Sequence, residues 1–138
     1  MGEPGSLPFD QLDYLYTPSS DVARDAGFLV RVLGGELEFT IDDGGTRVAM
    51  VRVSREPPAI LLTDHLEGDR PIHVYRVASL AETRHSLEGA GWAGGTSIEL
   101  PPGPAISFEA PGGLRFAVYE PTRPFVVESF VGRHDFEV

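Results

Sequence analysis

Residues 12–34 read LDYLYTPSSDVARDAGFLVRVLG, a pattern that predicts a strand, a helix cap, an amphipathic helix and a glycine stop. The Thr-Pro-Ser-Ser segment at residues 17–20 breaks the strand and offers hydroxyls to the first helical amides. Apolar residues at helical spacing then follow through Leu33, and Gly34 suits the left-handed exit. The segment therefore predicts a βα unit with one buried helix face.

The same pattern returns in residues 71–91. A strand beginning near Ile72 leads to Ser79-Leu80-Ala81-Glu82, a capping box in which Ser79 and Glu82 satisfy each other's backbone amides. The second helix ends at Gly89-Ala90-Gly91. Tyr14 and Ile72 correspond at a spacing of 58 positions, which indicates an internal duplication.

Alternating apolar segments broken by Gly or Pro follow each helix. The strands predicted after the first helix cover residues 36–41, 46–54 and 59–65, with a tight hairpin at Asp42-Asp43-Gly44-Gly45. Those after the second cover residues 96–100, 105–109 and 114–120. We therefore expect a flexible leader at 1–10, one domain at 11–121 built from units 11–66 and 70–121, and a tail at 122–138. Pro124 suits the start of a short helix in that tail, which should pack on the domain or on a partner.

The composition excludes several classes of function. The 138 residues carry 21 acidic and 11 basic side chains, every basic one an arginine, for a formal net charge of −10. A nucleic-acid partner is therefore not expected. The chain contains no cysteine and no apolar run long enough to span a membrane, and it starts without a signal segment. These features predict a cytoplasmic protein without thiol chemistry or a membrane partner.

The order and spacing of these segments resemble the vicinal oxygen chelate superfamily, which includes glyoxalase I, extradiol dioxygenases and bleomycin-resistance proteins. The resemblance is carried by Asp21, Phe28 and Leu33-Gly34, and by the turn Pro111-Gly112-Gly113, where Ala110 replaces the family's Asp. It implies an α+β fold in which two tandem βαβββ units form a curved, partly open mixed-sheet barrel with helices outside. The resemblance covers about residues 12–121.

Metal-dependent members of that superfamily hold a metal through four side chains on the inner face of the barrel. By the resemblance, those positions fall at Tyr14, Leu61, Ile72 and Ala117. Only the tyrosine could bind a metal, so we expect no cofactor. A shifted register leaves an alternative open, in which His73, His65 and Glu120 bind a divalent metal such as Fe, Ni, Zn or Mn.

Strand alternation places Ile72, Val74 and Arg76 on the cavity side of their strand and His73 on the opposite side. An inward Arg76 needs a carboxylate partner, for which Asp13 and Glu120 are candidates, or an anionic group on the ligand. The full set of expected ligand-binding residues is Tyr14, Tyr16, Leu61, Ile72, Val74, Arg76, Ala117 and Tyr119.

Three functions remain compatible with this pattern. The first is a metal-free protein of the bleomycin-resistance type, a homodimer that binds a small aromatic or cationic molecule in the cavity. The second is a metal-dependent lyase or dioxygenase that uses His73, His65 and Glu120. The third is a cofactor-free isomerase or cyclase in which Tyr14 or Arg76 polarises a carbonyl group.

Overall fold

A computed structural model describes residues 7–138 of the chain. The first unit contains β1 (Gln11–Pro18), α1 (Val22–Gly27) continued by a π-helical turn (Phe28–Val32), β2 (Glu36–Asp43), β3 (Thr46–Arg52) and β4 (Ala59–Thr63). The second contains β5 (Ile72–Arg76), α2 (Leu80–Gly89), β6 (Thr96–Leu100), β7 (Gly103–Glu109) and β8 (Arg115–Tyr119), and α3 (Pro124–Phe130) follows. The predicted α+β fold with two tandem βαβββ units is confirmed.

All eight strands form one open sheet in the order β2-β3-β4-β1-β5-β8-β7-β6. Each unit contributes one half, in which the first strand runs parallel to the last, and the halves meet where β1 pairs antiparallel with β5. The duplication is therefore visible in the strand order. The sheet is not closed, so the barrel is partly open as expected.

The convex face of the sheet carries the first two helices. Val22 and Ala26 of α1 pack on Ala49, Val51 and Leu62, because alternate residues of β3 and β4 point to that face. In the second unit, Leu80 at the start of α2 packs with Trp92 over a cluster that contains Val77, Ile106 and Val118. The concave face stays free of α1 and α2, and the candidate site lies there.

The helix boundaries follow local capping chemistry, with one correction. Ser79 caps α2 as predicted, since its hydroxyl accepts a hydrogen bond from the Glu82 amide at 3.2 Å. The first helix is instead capped by Asp21, whose carboxylate accepts from the Arg24 amide at 3.1 Å. The Ser19 hydroxyl donates to the Asp25 carboxylate at 2.6 Å. The hydroxyl expected to cap the helix therefore stabilises a carboxylate in its first turn.

Replacing Ser19 by alanine should produce a pH-dependent loss of stability. The Ser19 hydroxyl is the main reason that the pKa of the Asp25 carboxyl is lowered in the folded protein. That contribution is therefore present above the unfolded pKa of about 3.9 and is lost as the pH falls through the folded value. We expect S19A to lower the free energy of unfolding by about 1 kcal/mol at pH 7, with the difference shrinking toward pH 3. Urea denaturation at several pH values measures it, with the neighbouring exposed Ser20→Ala as control. A loss of equal size at all pH values would contradict the assignment.

The tail crosses from one face of the sheet to the other around the edge strand β2. Phe130 of α3 packs edge-on against Phe39 at 5.5 Å between ring centroids. Beyond α3, backbone hydrogen bonds join residues 132–135 to Glu38 and Thr40 of β2. Phe136 and Val138 then pack on the convex cluster beneath α1. We call residues 124–138 the strap. It covers a strand edge that would otherwise be free to pair with another chain.

The residues immediately before β1 contact β5. Phe9 lies 5.1 Å from Tyr75 between ring centroids, and the Asp10 amide donates to the Arg76 carbonyl at 2.9 Å. Ordered packing thus begins before residue 11. Residues 1–6 of the predicted leader lie outside the described residues. Within residues 7–138, no helix combines the length and the apolar character needed to cross a membrane.

Candidate ligand-binding cavity

The concave face of the sheet carries a partly open cavity of about 490 Å³ bordered by α3. Its wall is mainly apolar and comes from both units and the strap: Phe39, Ile41, Val48, Met50, Leu61, Val74, Leu100, Pro101, Pro102, Val127 and Phe130, with Tyr14 and Tyr16. The volume and the lining are those of a small-molecule site.

Seven of the eight expected ligand-binding residues lie on this face. Tyr14, Tyr16, Leu61 and Val74 line the cavity. The other three, Ile72, Ala117 and Tyr119, are buried in the cluster on which Tyr14 and Tyr16 pack. They therefore support the cavity wall.

Arg76 is the exception. It lines a neighbouring crevice of about 420 Å³, on the other side of Tyr14, and is absent from the cavity wall. Its Nε atom lies 3.6 Å from a carboxylate oxygen of Asp13. The expectation that Arg76 lies in the cavity is wrong, because its guanidinium group turns toward this carboxylate.

Strand register relates the candidate metal positions of the two units. Leu61 is the partner of Tyr16 in the β1–β4 pair, and Ala117 is the partner of Val74 in the β5–β8 pair. Tyr14 and Ile72 occupy corresponding places on β1 and β5, the first strands of the two units. Tyr14 pairs with Val74 of β5, and Ile72 pairs with Tyr16 of β1. The chemistry at these four positions is one phenol and three hydrocarbon side chains, which does not fit a bound metal.

The alternative metal set is divided between the two faces of the sheet. His65 lines the concave cavity. His73 lies on the convex face beside Phe116, and Glu120 accepts a hydrogen bond from the Leu80 amide at the start of α2. The structure therefore does not bring His73, His65 and Glu120 together. Within residues 7–138, no group of three or more His, Asp or Glu side chains is placed to hold a metal ion.

A β-bulge adds a carboxylate to the concave side. The register of β1 against β5 shifts between Leu12 and Tyr14, which leaves Asp13 as the extra residue. Its side chain is only 11% exposed. Gln11 donates to one of its oxygens at 2.6 Å, and the Tyr119 hydroxyl donates to the other. Nothing in the alternation of the strand predicts this inward carboxylate.

Burial keeps the tyrosines of the concave face protonated. Desolvation raises the pKa of the Tyr14 hydroxyl, and the charge of Asp13 adds to that effect. Desolvation also raises the pKa of Tyr119, with the hydrogen bond to Asp13 in the same direction. At neutral pH these phenols are therefore hydrogen-bond donors rather than bases.

A second cluster of polar side chains, besides the one around Asp13, lies where β4 ends. The Thr63 hydroxyl oxygen lies 2.5 Å from His65 Nδ1, and His65 Nε2 lies 2.9 Å from the Tyr16 hydroxyl oxygen. Burial raises the pKa of Tyr16, and the nearby Thr63 hydroxyl partly offsets the effect. Tyr16 and His65 both line the cavity, so this group supplies polar atoms to an otherwise apolar wall.

The charged residues of the cavity wall are acidic. Asp43 and Glu99 line it, and no arginine does. Glu99 binds the exposed guanidinium group of Arg123 at 3.2 Å. The charge of the wall therefore has the same sign as the net charge of the whole chain.

A larger hollow of about 830 Å³ lies at the far end of the second unit, but its features do not fit an apolar ligand. It is an open cleft lined mostly by loop residues, glycines and charged side chains. Arg115 donates to the carbonyls of Glu67 and Arg70 at 2.9 Å each, so this guanidinium group binds neighbouring loops. We therefore take the apolar cavity on the concave face as the candidate site.

Comparison with solved structures identifies the fold. Methylmalonyl-CoA epimerase from Mycobacterium tuberculosis is 20% identical over 83% of this chain and 89% of that one, with a TM-score of 0.64. A glyoxalase/bleomycin resistance protein/dioxygenase superfamily member from Vibrio splendidus is 13% identical over 76% of this chain and 93% of that one, with a TM-score of 0.53. A catechol 2,3-dioxygenase is 20% identical over 86% of this chain and 43% of that one, with a TM-score of 0.61.

These likenesses show the fold. The chain has the vicinal oxygen chelate fold, as the order of its sequence segments predicts. No family model matches the sequence, and no curated protein does either. The activity must therefore be argued from the residues of the cavity.

Proposed function

We propose that this protein binds a small molecule with an aromatic or cationic body in the concave cavity, without a metal. The observation that carries the proposal is the cavity wall itself. Tyr14, Leu61, Ile72 and Ala117 occupy the positions at which the resemblance places metal ligands. Tyr14 and Leu61 line the cavity, and Ile72 and Ala117 are buried in the cluster behind its wall. Such a wall can bury a ligand, and it lacks the side chains with which a metal enzyme would bind its metal.

The polarity of the wall favours a neutral or positively charged ligand. Phe39, Phe130 and the two tyrosines present aromatic surface to the cavity, and Asp43 and Glu99 are its charged residues. A cation placed over aromatic rings and near carboxylates is attracted by both. These carboxylates disfavour an anion, and Arg76 does not offset them because it lies outside the wall beside Asp13.

Filling the cavity should abolish this binding. We expect Val48→Trp to weaken the affinity for a cationic acridine dye by about tenfold or more, because the indole ring occupies the ligand's space. Val53→Trp is the matched control, since Val53 is 46% exposed and is not part of the wall. Fluorescence titration measures both variants. Equal affinity in V48W and wild type would contradict the proposed site, and tighter binding of an anionic naphthalene sulfonate would contradict the cationic preference.

Metal content gives an independent test of the metal-free proposal. We expect elemental analysis to find well under one Fe, Ni, Zn or Mn per chain after growth and refolding with each metal. Dye affinity should be unchanged by a chelator. Stoichiometric metal together with loss of dye binding on chelation would instead support the lyase or dioxygenase alternative.

The homodimer and the cytoplasmic location stay predictions. The strap packs on its own chain, so a dimer would need another surface. The exposed apolar side chains of Phe28 and Val32, in the π-helical turn after α1, offer one. Light scattering during size exclusion measures the oligomeric state directly.

A further inference from the structure

Three side chains form a continuous hydrogen-bonded series that ends in the cavity. It begins at Thr63, which is completely buried, passes through both ring nitrogens of His65 and reaches the hydroxyl of Tyr16. A neutral imidazole has one nitrogen that donates and one that accepts. The direction of the series therefore decides which group Tyr16 can offer to a ligand.

The buried hydroxyl of Thr63 sets that direction. The backbone amide of His65 points at the Thr63 oxygen from 3.4 Å, so this oxygen already faces a donor. Its own hydrogen needs an acceptor, since a buried hydroxyl without one is destabilising. Among residues 7–138, His65 Nδ1 is the acceptor in hydrogen-bonding geometry with it. Nδ1 is then the unprotonated nitrogen and Nε2 carries the ring hydrogen.

That tautomer leaves the hydrogen of Tyr16 free. Nε2–H donates to the Tyr16 oxygen across 2.9 Å, so the hydroxyl hydrogen is directed away from His65 and can reach a ligand in the cavity. Tyr16 lines the cavity, and its hydroxyl is protonated at neutral pH, a state that burial favours further by raising the pKa. The hydroxyl of Tyr14 is already engaged, because it interacts with Tyr119, which in turn donates to Asp13.

We infer that Tyr16, oriented by Thr63 and His65, donates a hydrogen bond to the ligand and makes the cavity selective for molecules with an acceptor oxygen on an aromatic body. This inference rests on the proposed function, namely that the cavity binds a small molecule. Its ligand class is the aromatic ketone or a similar carbonyl compound. In an otherwise apolar wall, a ligand without such an oxygen would leave the Tyr16 hydrogen unpaired.

The orientation of the series can be tested without any ligand. Nitrogen-15 NMR of the His65 ring should show the Nε2–H tautomer in the wild-type protein. Thr63→Ser keeps the hydroxyl and should keep that tautomer. Thr63→Val keeps the branched shape, removes the hydroxyl and should shift the ring toward Nδ1–H or a mixture. An Nδ1–H tautomer in the wild-type protein, or the same tautomer in T63S and T63V, would overturn the assignment.

Selectivity is tested with two planar probes that differ at one group, 9-fluorenone and fluorene. We expect the wild-type protein to bind fluorenone about tenfold more tightly, which is the effect of one hydrogen bond of about 1.4 kcal/mol. Tyr16→Phe should bring the ratio of the two affinities close to one. Tyr75→Phe is the matched control, because Tyr75 lies in the convex cluster and should leave the ratio unchanged.

The outcomes distinguish a failure of this inference from a failure of the proposed function on which it rests. If both probes bind the wild-type protein with equal affinity, Tyr16 does not select an acceptor oxygen, although the cavity still binds aromatic molecules. If neither probe binds, the proposed function fails together with the inference. A fluorenone preference that persists in Y16F would assign the donor to another residue and overturn the inference alone.

Discussion

Removing residues 123–138 is expected to lower the free energy of unfolding by roughly 4 kcal/mol, because several apolar side chains of the strap lose their packing. Phe130 leaves Phe39, while Phe136 and Val138 leave the convex cluster. A loss of this size is a large part of the stability of an average domain. Urea denaturation followed by circular dichroism measures it on wild type and truncation.

The truncation also frees the edge of β2. Thr40 is fully buried, and its amide, carbonyl and hydroxyl all bond to strap residues. Without the strap these groups are available to another chain, so light scattering should show association or aggregation of the truncated protein. A truncation that is equally stable and merely converts a dimer to a monomer would contradict this picture.

Two single substitutions on α3 keep the prediction testable if the truncated chain fails to fold. Phe130→Ala should cost about 2 kcal/mol, because it removes the ring that contacts Phe39 and lines the cavity. Phe125→Ala is the matched control on the same helix, since Phe125 is 63% exposed, and its effect should be within about 0.5 kcal/mol. Equal losses in the two variants would show that the strap does not pack through its inner face.

The second large effect is expected at Gly103, where two backbone segments meet. A Cβ atom there would overlap the Glu120 carbonyl oxygen and would lie 3.0 Å from the Thr122 amide nitrogen. Both neighbours are backbone, so relief requires a shift of β7 or of the chain after β8. We expect Gly103→Ala to lower the free energy of unfolding by about 3 kcal/mol, as measured by urea denaturation.

The same substitution should also change the shape of the cavity. Pro101 and Pro102, immediately before Gly103, are part of the wall, so a displaced β7 should weaken binding of the acridine dye as well. Gly112→Ala is the control, because nothing lies within 4 Å of a Cβ atom at that glycine. A stable G103A protein with wild-type dye affinity would show that the close approach is easily relieved.

The periodicity of the sequence was sufficient to predict most of the fold. A strand has a side-chain period of two, so one buried face fixes the orientation of every residue along it. This is why Val74 lies on the cavity side and His73 on the helix side, as alternation predicts. The glycine and capping signals likewise located the hairpin at Gly44-Gly45 and the start of α2.

The features that the sequence did not predict depend on irregular backbone or on distant partners. The bulge at Asp13 reverses the alternation locally, and no glycine marks it. The contact between Tyr16 and His65 joins residues 49 positions apart, so no local pattern contains it. The sequence named Asp13 as a candidate partner of Arg76, but the bulge that places this pair in the neighbouring crevice was not predicted.

The strap also has a consequence for the order in which the chain can fold during synthesis. The side chains that complete the first unit, including Phe136 and Val138, leave the ribosome only after the whole second unit has been made. The edge of β2 in the first unit therefore stays uncovered until the second unit and the strap have been synthesised. Although the two units share one topology, the first depends on residues made after the second for the cover of its edge strand.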